Sequence, residues 1–479
     1  MRIEREKTIA LIVGTCLAFT LCMVSFVTTV EAAGFIYVDA PTGDPTLDHA
    51  AIQGALDATK PGGTVVLASG CYKISKSIVS IGFHGTIVGA GMDQTVIEAV
   101  SGPLEYFEAA YNPVFDDSSG EGSKDYYTAF FLFGSPEKKL AVSDLSLKVK
   151  DEIVVEMSYT TFPDGSISYW DWVGEKLAGG LEVDLAFGCD TSFENIRLTG
   201  LPGLGANGNP RNGITYWLCD GGKHTLDGCI LENIGTFSWG PYACYNGKYV
   251  AEKNEFLNGW RGTQITTSTN LNVRISENSF LNMGDAAVSH YGPSSSHIII
   301  SDNTFQDCEG SIWAYTWPGY PTVGSNYIIK DNVIDAPDYS WYGGIELWDE
   351  SDVKSHFVIT HNTVHQDGFI APYCGISLNG VYDSVVANNK ITGSGPAAIF
   401  VGTFADWDEV VNVRIINNNV KGFDLVGSYW HDAETGGFSW LDPKGHIYLG
   451  DDSYYCIVVP GSSSDIVYDV GTGNLVVER

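Results

Sequence analysis

Along most of the chain, apolar residues come in runs of three to five, at alternating positions, and the runs return at a regular interval. The stretch from Arg274 to Gly310 shows the unit: a short apolar strand, one or two acidic residues, an Asn, a small residue, Phe, a Gly-containing bend and another strand. The key Asn recurs at Asn254, Asn278, Asn303, Asn332, Asn362, Asn389 and Asn418, at intervals of 24, 25, 29, 30, 27 and 29 residues. A period in this range marks a repeat architecture. Runs this short and rich in Val, Ile, Phe and Tyr predict strands rather than helix.

Each repeat holds about three such runs, too few to bury a core alone. Stacking coil on coil through parallel ladders, about 4.8 Å apart, creates a continuous apolar column. The recurrent Asn is expected at the tightest turn, where the backbone visits the left-handed region that Asn tolerates. Its amides are expected to bond from coil to coil. Phe256, Phe280, Phe305 and Val364, two residues on, are expected to point inward and stack. The pattern resembles the right-handed parallel β-helix of the pectate-lyase-like superfamily over most of residues 180–460. The fold class that follows is all-β, a solenoid with a short N-terminal capping helix.

Residues 1–33 read as a signal peptide or N-terminal membrane anchor: Arg2, Arg5 and Lys7 precede an uncharged apolar run from Thr8 to Val30. Either way the rest of the chain is expected to be secreted or held at the cell surface. Residues 34–100 resemble the entry module of β-helix enzymes and phage tailspikes. There Ala51, Ile52, Ala55 and Leu56 share one helical face and Pro61-Gly62-Gly63 ends the helix. Residues 101–178 depart from the repeat and predict irregular coils with long loops, including the aromatic segment around Trp170 and Trp172. Residues 179–479 carry the β-helix repeats and the C-terminal coils.

The net charge is −32, and the leader contributes equally to both signs, so the exported part keeps that balance. Such a surface excludes nucleic acid as a partner and touches a membrane only through the N-terminal segment, if that stays uncleaved. It also repels acidic polymers such as pectate or alginate unless Ca2+ bridges the two; no cofactor is otherwise implied. Eight cysteines lie beyond the leader, scattered and without a Cys-x-x-Cys pair, which points away from a zinc cluster. They are candidates for disulfides or for small buried positions in a stacked core.

Aligning the strand after each Gly-rich bend gives a register. With Ile214, Val288, Ile312, Ile345, Ile376, Ile399 and Ile447 inward, alternation leaves two outward columns. One runs Thr215, Ser289, Trp313, Glu346, Ser377, Phe400 and Tyr448; the other begins Trp217, Tyr291, Tyr315, Trp348 and Asn379. Rings at successive outward positions suit the C–H faces of sugars, so Trp217, Tyr291, Trp313, Tyr315 and Trp348 are the candidate substrate-binding residues for a polysaccharide or cell-surface glycan. Loops such as Trp317 to Ser325 are the alternative cover for these rings. Glu346, Asp349 and Asp285 are the candidate catalytic carboxylates, with Glu350 nearby; no metal ligands are singled out. His290 has inward parity and is expected to be a hydrogen-bonded core residue, and Arg261 is the arginine near this face.

The catalytic signatures of better-known members of the superfamily are missing. Gly284-Asp285-Ala286 has a single Asp where polygalacturonases have a pair, Ser289-His290-Tyr291 lacks their His-Gly, and Asp442-Pro443-Lys444 only partly echoes the epimerase signature. Two functions stay open: cleavage of a polysaccharide by a hydrolase or lyase, and noncatalytic adhesion or envelope structure. Cleavage by hydrolysis demands paired carboxylates within about 10 Å beside Trp313 and Trp348; pure binding demands the aromatic face without such a pair.

Overall fold

A computed structural model describes residues 34–477 apart from 115–123, 157–158, 162–163, 170–176, 204–208, 317–322, 337–342, 350–353, 368–373, 396, 403–408, 424–427, 433–436 and 442–445. The predicted leader, Trp170, Trp172, Glu350, Asp442 and most of the Trp317–Ser325 loop lie outside the described residues.

The chain winds as a parallel β-helix. One coil reads Asn272–Ser276, Ser279–Leu281, then Ala286–Tyr291; the next reads His297–Ser301, Thr304–Gln306, then Gly310–Thr316. The third strand of every coil joins a 13-stranded sheet, and the first two strands form two walls of a 25-stranded sheet. Neighbouring coils pair in parallel register, as in Val288↔Ile312 and Phe280↔Phe305. The interior is a single apolar column in which the Phe256, Phe280 and Phe305 rings stack at 4.7 and 4.8 Å.

The predicted inward set is buried: Ile214, Val288, Ile312, Ile345, Ile376, Ile399 and Ile447 are all at most 1% exposed. The role of the Asn differs in one respect from the expectation. The left-handed residue is the one before it: Lys253, Glu277, Asp302, Asp331, His361, Asn388 and Asn417 have φ between 55° and 59°. That kink turns the following Asn side chain inward along the solenoid axis. Asn303 Nδ2 donates to Asn332 Oδ1 at 3.0 Å and to Ile275 O at 2.9 Å, while its Oδ1 accepts from Asn278 N and Nδ2, both at 3.0 Å. The same pattern links Asn254 through to Asn418. This ladder satisfies buried turn amides that would otherwise lack partners.

The capping helix spans Pro45–Asp57, with Asp44 as its N-cap accepting from Thr46 N and Leu47 N. Ile52, Ala55 and Leu56 are buried as expected, but Ala51 faces solvent. Asp48 is buried in its stead. Its carboxylate accepts from Thr42 N and Oγ1, Gly43 N and Lys73 N, which fastens the helix to the first coils. Within residues 101–178, expected as irregular coils, Ala129–Gly134 and Lys139–Val149 are regular strands of the 13- and 25-stranded sheets, while Ala110–Asn112, Lys124–Tyr127, Tyr159–Thr161 and Ile167–Tyr169 form a separate antiparallel sheet. After the Asn ladder stops, Ile447–Leu449, Ile457–Val459, Val467–Asp469 and Leu475–Val476 continue the walls. All eight described cysteines are free thiols, seven of them buried.

His290 points inward as expected and is fully buried, yet neither ring nitrogen has a hydrogen-bond partner. Burial pushes its pKa down to about 3, from 6.5. The unfolded chain therefore binds the proton more readily between those values, so this group's stability contribution is present above pH 6.5 and is lost as pH falls towards 3. Urea titrations at pH 7 and pH 4 should show a steep acid loss for the wild type. His290→Leu should reduce that loss by about 3 kcal/mol.

Candidate functional site

The outward columns occupy the outer face of the 13-stranded sheet in the expected register: Ser289↔Trp313↔Glu346↔Ser377↔Phe400↔Tyr448, and Tyr291↔Tyr315↔Trp348↔Asn379. Two strands missing from the sequence register, Phe237–Tyr242 and Arg261–Thr266, insert Tyr242, Gln264 and Thr266 between the Trp217 and Tyr291 levels. Their Phe-Ser-Trp-Gly-Pro-Tyr and Arg-Gly-Thr-Gln-Ile-Thr sequences alternate poorly, with Thr263 at an inward position, and that hid them.

The rings form two contiguous sets, separated by the Gln264 and Thr266 level. Trp217 and Tyr242 centroids lie 4.4 Å apart, Tyr291 and Trp313 5.2 Å edge to face, and Trp313 and Tyr315 5.9 Å nearly parallel. Tyr315 and Trp348 meet edge to face at 5.9 Å. All six are half-buried rather than bare, so each keeps part of its ring available while its neighbours hold its orientation. Asn379 locks the Trp348 end: with its amide oxygen turned to Trp348 Nε1 (3.0 Å) and Ser377 Oγ (3.2 Å), its nitrogen donates to Gly402 O (3.1 Å).

The three carboxylate candidates do not form a constellation. Glu346 is 1% exposed, against its expected place on a solvent-facing strand. Burial pushes its pKa up to about 7, with hydrogen bonds from Gly343 N and the Trp348 side chain pulling the other way. Asp349 has the opposite parity and is a structural anchor, accepting from Thr316 Oγ1 and Ser355 N. Both of its oxygens are committed to these contacts. Asp285 is a buried ion-pair partner: its Oδ2 takes Arg261 Nη2 at 2.5 Å and Nε at 2.7 Å, and the guanidinium lies 5.2 Å from the Tyr291 ring centre. Arg261 Nη1 extends the network to Gln264. By register, Glu346 is two strands and four residues away from Asp285, roughly 16 Å at the backbone. These three therefore give Glu346 no paired carboxylate; Asp285 has one in Glu309, its neighbour one strand on, whose pKa burial and the Asp285 charge push up.

A different pair lies on the same face. Glu182 and Asp184, two apart on Leu177–Asp184, sit opposite Thr215 and Trp217. Both are buried, and Asp184 Oδ2 accepts from Asn112 Nδ2 at 2.8 Å. Burial, reinforced by the Asp184 charge and opposed by Arg211, holds the Glu182 pKa well above the usual carboxylate range. Glu182 folds back along its strand, since a Cβ at Gly179 would come 2.5 Å from its Oε1. The signal was present in the alternation Leu181-Glu182-Val183-Asp184, which places both acids outward between inward apolar residues, on the strand before the first one in the sequence register. Among the described residues no three His, Cys, Asp or Glu side chains converge as a metal site.

Residues 183–328 match the family model for the right handed beta helix region. No curated protein sequence matches the chain. Among solved structures, the catalytic unit of the GH87 α-1,3-glucanase of Streptomyces thermodiastaticus is similar at 14% identity and a TM-score of 0.50, covering 92% of this chain and 69% of that one. The DFA-IIIase of Arthrobacter chlorophenolicus is similar at 13% identity and a TM-score of 0.48, covering 93% and 99%. Tailspike protein 3 of bacteriophage CBA120 follows at 12% identity and 0.44, covering 92% and 61%. At these identities the likeness is one of fold. Coil geometry, Asn ladder and the match over residues 183–328 together show the fold of the chain, a right-handed parallel β-helix.

Proposed function

We propose that this chain is an exported polysaccharide-binding β-helix whose sugar platform is the aromatic run on the outer face of the 13-stranded sheet. The observation that carries the reading is the connected set Tyr291, Trp313, Tyr315 and Trp348, each half-exposed and held by its neighbours on adjacent coils. A row of rings with one coil per step, about 4.8 Å, presents flat apolar patches at close to the spacing of successive sugar units. Arg261, Gln264 and Asn379 supply polar groups along its edge. The acidic surface selects a neutral or weakly charged glycan, an acidic one requiring Ca2+ to bridge the two. The α-1,3-glucan substrate named for one structural neighbour falls in that neutral class.

A second reading, hydrolysis, has one specific observation in its favour, the Glu182–Asp184 pair. A carboxyl kept protonated by burial is suited to general acid work, and a second carboxylate nearby can serve as base. The pair lies roughly 29 Å along the face from Glu346, next to Trp217 and Tyr242, so a glycan would have to reach it from that end. Incubating the protein with an array of neutral polysaccharides, then assaying bound glycan and new reducing ends, separates the readings. Pure binding predicts retention without product; hydrolysis predicts product that disappears in Glu182→Gln while retention persists.

A further inference from the structure

The 25-stranded sheet carries a second surface that the glycan reading does not use. On its outer face a groove of about 520 Å³ runs along the solenoid axis, floored by the short side chains Ser192, Thr225 and Val250. One edge runs Lys139, Asp190, Lys223 and Lys248, basic at three of its four levels, and the other Glu194, Asp227 and Glu252. Within each strand the two edges are four residues apart, as with Lys223 and Asp227, or roughly 13 Å. Four bases (with Arg274) and four acids (with Asp190) line it, so the groove is locally neutral in a chain of net charge −32. Among the described residues Lys139, Lys223 and Lys248 have no carboxylate within ion-pair distance; of this set only Arg274 and Glu252 are paired, at 3.0 Å.

The floor column continues as an apolar stripe. Val250 pairs in register with Arg274, and Arg274 leads to Ile299, Ile328, Val358 and Val385 on successive strands. Val358 is 39% exposed, and Ile299, Ile328 and Val385 are half-buried with their outer faces free of the core.

We propose that this face docks a second copy of the chain, in a two-fold arrangement with the symmetry axis parallel to the solenoid axis. The charge pattern selects both partner and orientation. Rotation about that axis exchanges the two edges, so Lys223 and Lys248 of each copy meet Asp227 and Glu252 of the other and the apolar stripe meets itself, with Asp190 against Glu194 the one like-charged level. The other face-to-face two-fold, with its axis along the strands, sets lysines on lysines and acids on acids. Elsewhere the surface is acidic, so two copies approaching by another face repel; this strip is where that repulsion vanishes. From Lys139 to Val385 it spans nine strands, roughly 38 Å by 13 Å. About 1,000 Å² would be buried in all, near the lower limit for a specific interface, which makes the dimer weak and reversible.

Sedimentation velocity over a concentration series tests the dimer, using wild type, Lys223→Glu/Lys248→Glu and Asp227→Lys/Glu252→Lys. Wild type should dimerise, each double variant should associate at least about tenfold more weakly, and an equimolar mixture of the two variants should recover dimer. Recovery by mixing also shows that both variants are folded. Salt is a poor substitute, since it screens the edge contacts and the net repulsion together. Orientation is read from Ile328→Cys in a Cys71→Ser background: air oxidation should link Ile328→Cys to its own equivalent. A monomeric wild type at all concentrations, or variants that dimerise alone as well as in mixture, overturns the proposal, and failure of the Ile328→Cys cross-link overturns the orientation. None of these outcomes depends on glycan binding.

Discussion

Replacing Asn303 by Ala is expected to destabilise the solenoid by on the order of 3 kcal/mol. The substitution does little to the apolar core; its effect is to strand buried polar groups. Asn303 accepts from Asn278 N and Nδ2 and donates to Ile275 O and Asn332 Oδ1; in the Ala variant Asn278 Nδ2 keeps Ala251 O and Asn332 Oδ1 keeps the backbone N of position 303, while Asn278 N loses its acceptor inside the wall. Each buried group left without a partner costs about 1–3 kcal/mol. Because coils are stabilised mainly by their neighbours, the loss should uncouple the two sides of the break. Urea unfolding followed by circular dichroism should show an earlier transition, broadened or split in two. An unchanged midpoint would mean that the ladder follows from the fold and does not support it.

The second large effect concerns Glu346. Its folded pKa of about 7 stands above the 4.5 of an ordinary Glu because the carboxyl is buried. The folded state therefore binds the proton more tightly. This favourable contribution is complete below pH 4.5, shrinks as pH rises, and is gone above pH 7. Glu346→Gln keeps the shape and cannot ionise, so its stability should not follow that slope. At pH 8 the variant should be more stable than wild type by about 3 kcal/mol; at pH 4 the two should agree. Chemical denaturation at the two pH values reads the difference directly. Equal stability at both would show that Glu346 is hydrated in solution and titrates as a surface acid.

These predictions also show how unevenly the sequence disclosed the molecule. The repeat was legible because stacking imposes one side-chain environment per coil: the same inward Ile and the same Asn return at each level, and even the register Val288–Ile312–Ile345–Ile376 could be read by alignment. The Asn ladder was legible as a ladder, though its backbone was not. The left-handed φ falls on the preceding residue, whose identity varies from Lys253 and Glu277 to Asp302, Asp331, His361, Asn388 and Asn417, so the invariant Asn beside it drew the assignment to the wrong neighbour. The outward aromatic columns were legible for the same reason as the core.

The carboxylates were not, because parity tells which way a side chain leaves the strand and nothing about what then covers or binds it. Glu346 leaves outward and is still buried. Asp285 looked available until Arg261, 24 residues away, folded onto it. Asp349 proved to be a turn anchor through Thr316 and Ser355, contacts that depend on loop geometry. Glu182 and Asp184 were passed over since their coil precedes the first clear Asn repeat.

The account rests most heavily on the outer face of the 13-stranded sheet as a glycan platform. Its most direct test is affinity for the neutral polysaccharide best retained on the array, compared between wild type, Trp348→Ala and the opposite-wall control Val358→Ala. The platform predicts binding at least about tenfold weaker in Trp348→Ala, the loss of one stacked ring, with Val358→Ala unchanged. Equal affinity in all three proteins, or no retention of any neutral glycan by wild type, would contradict it.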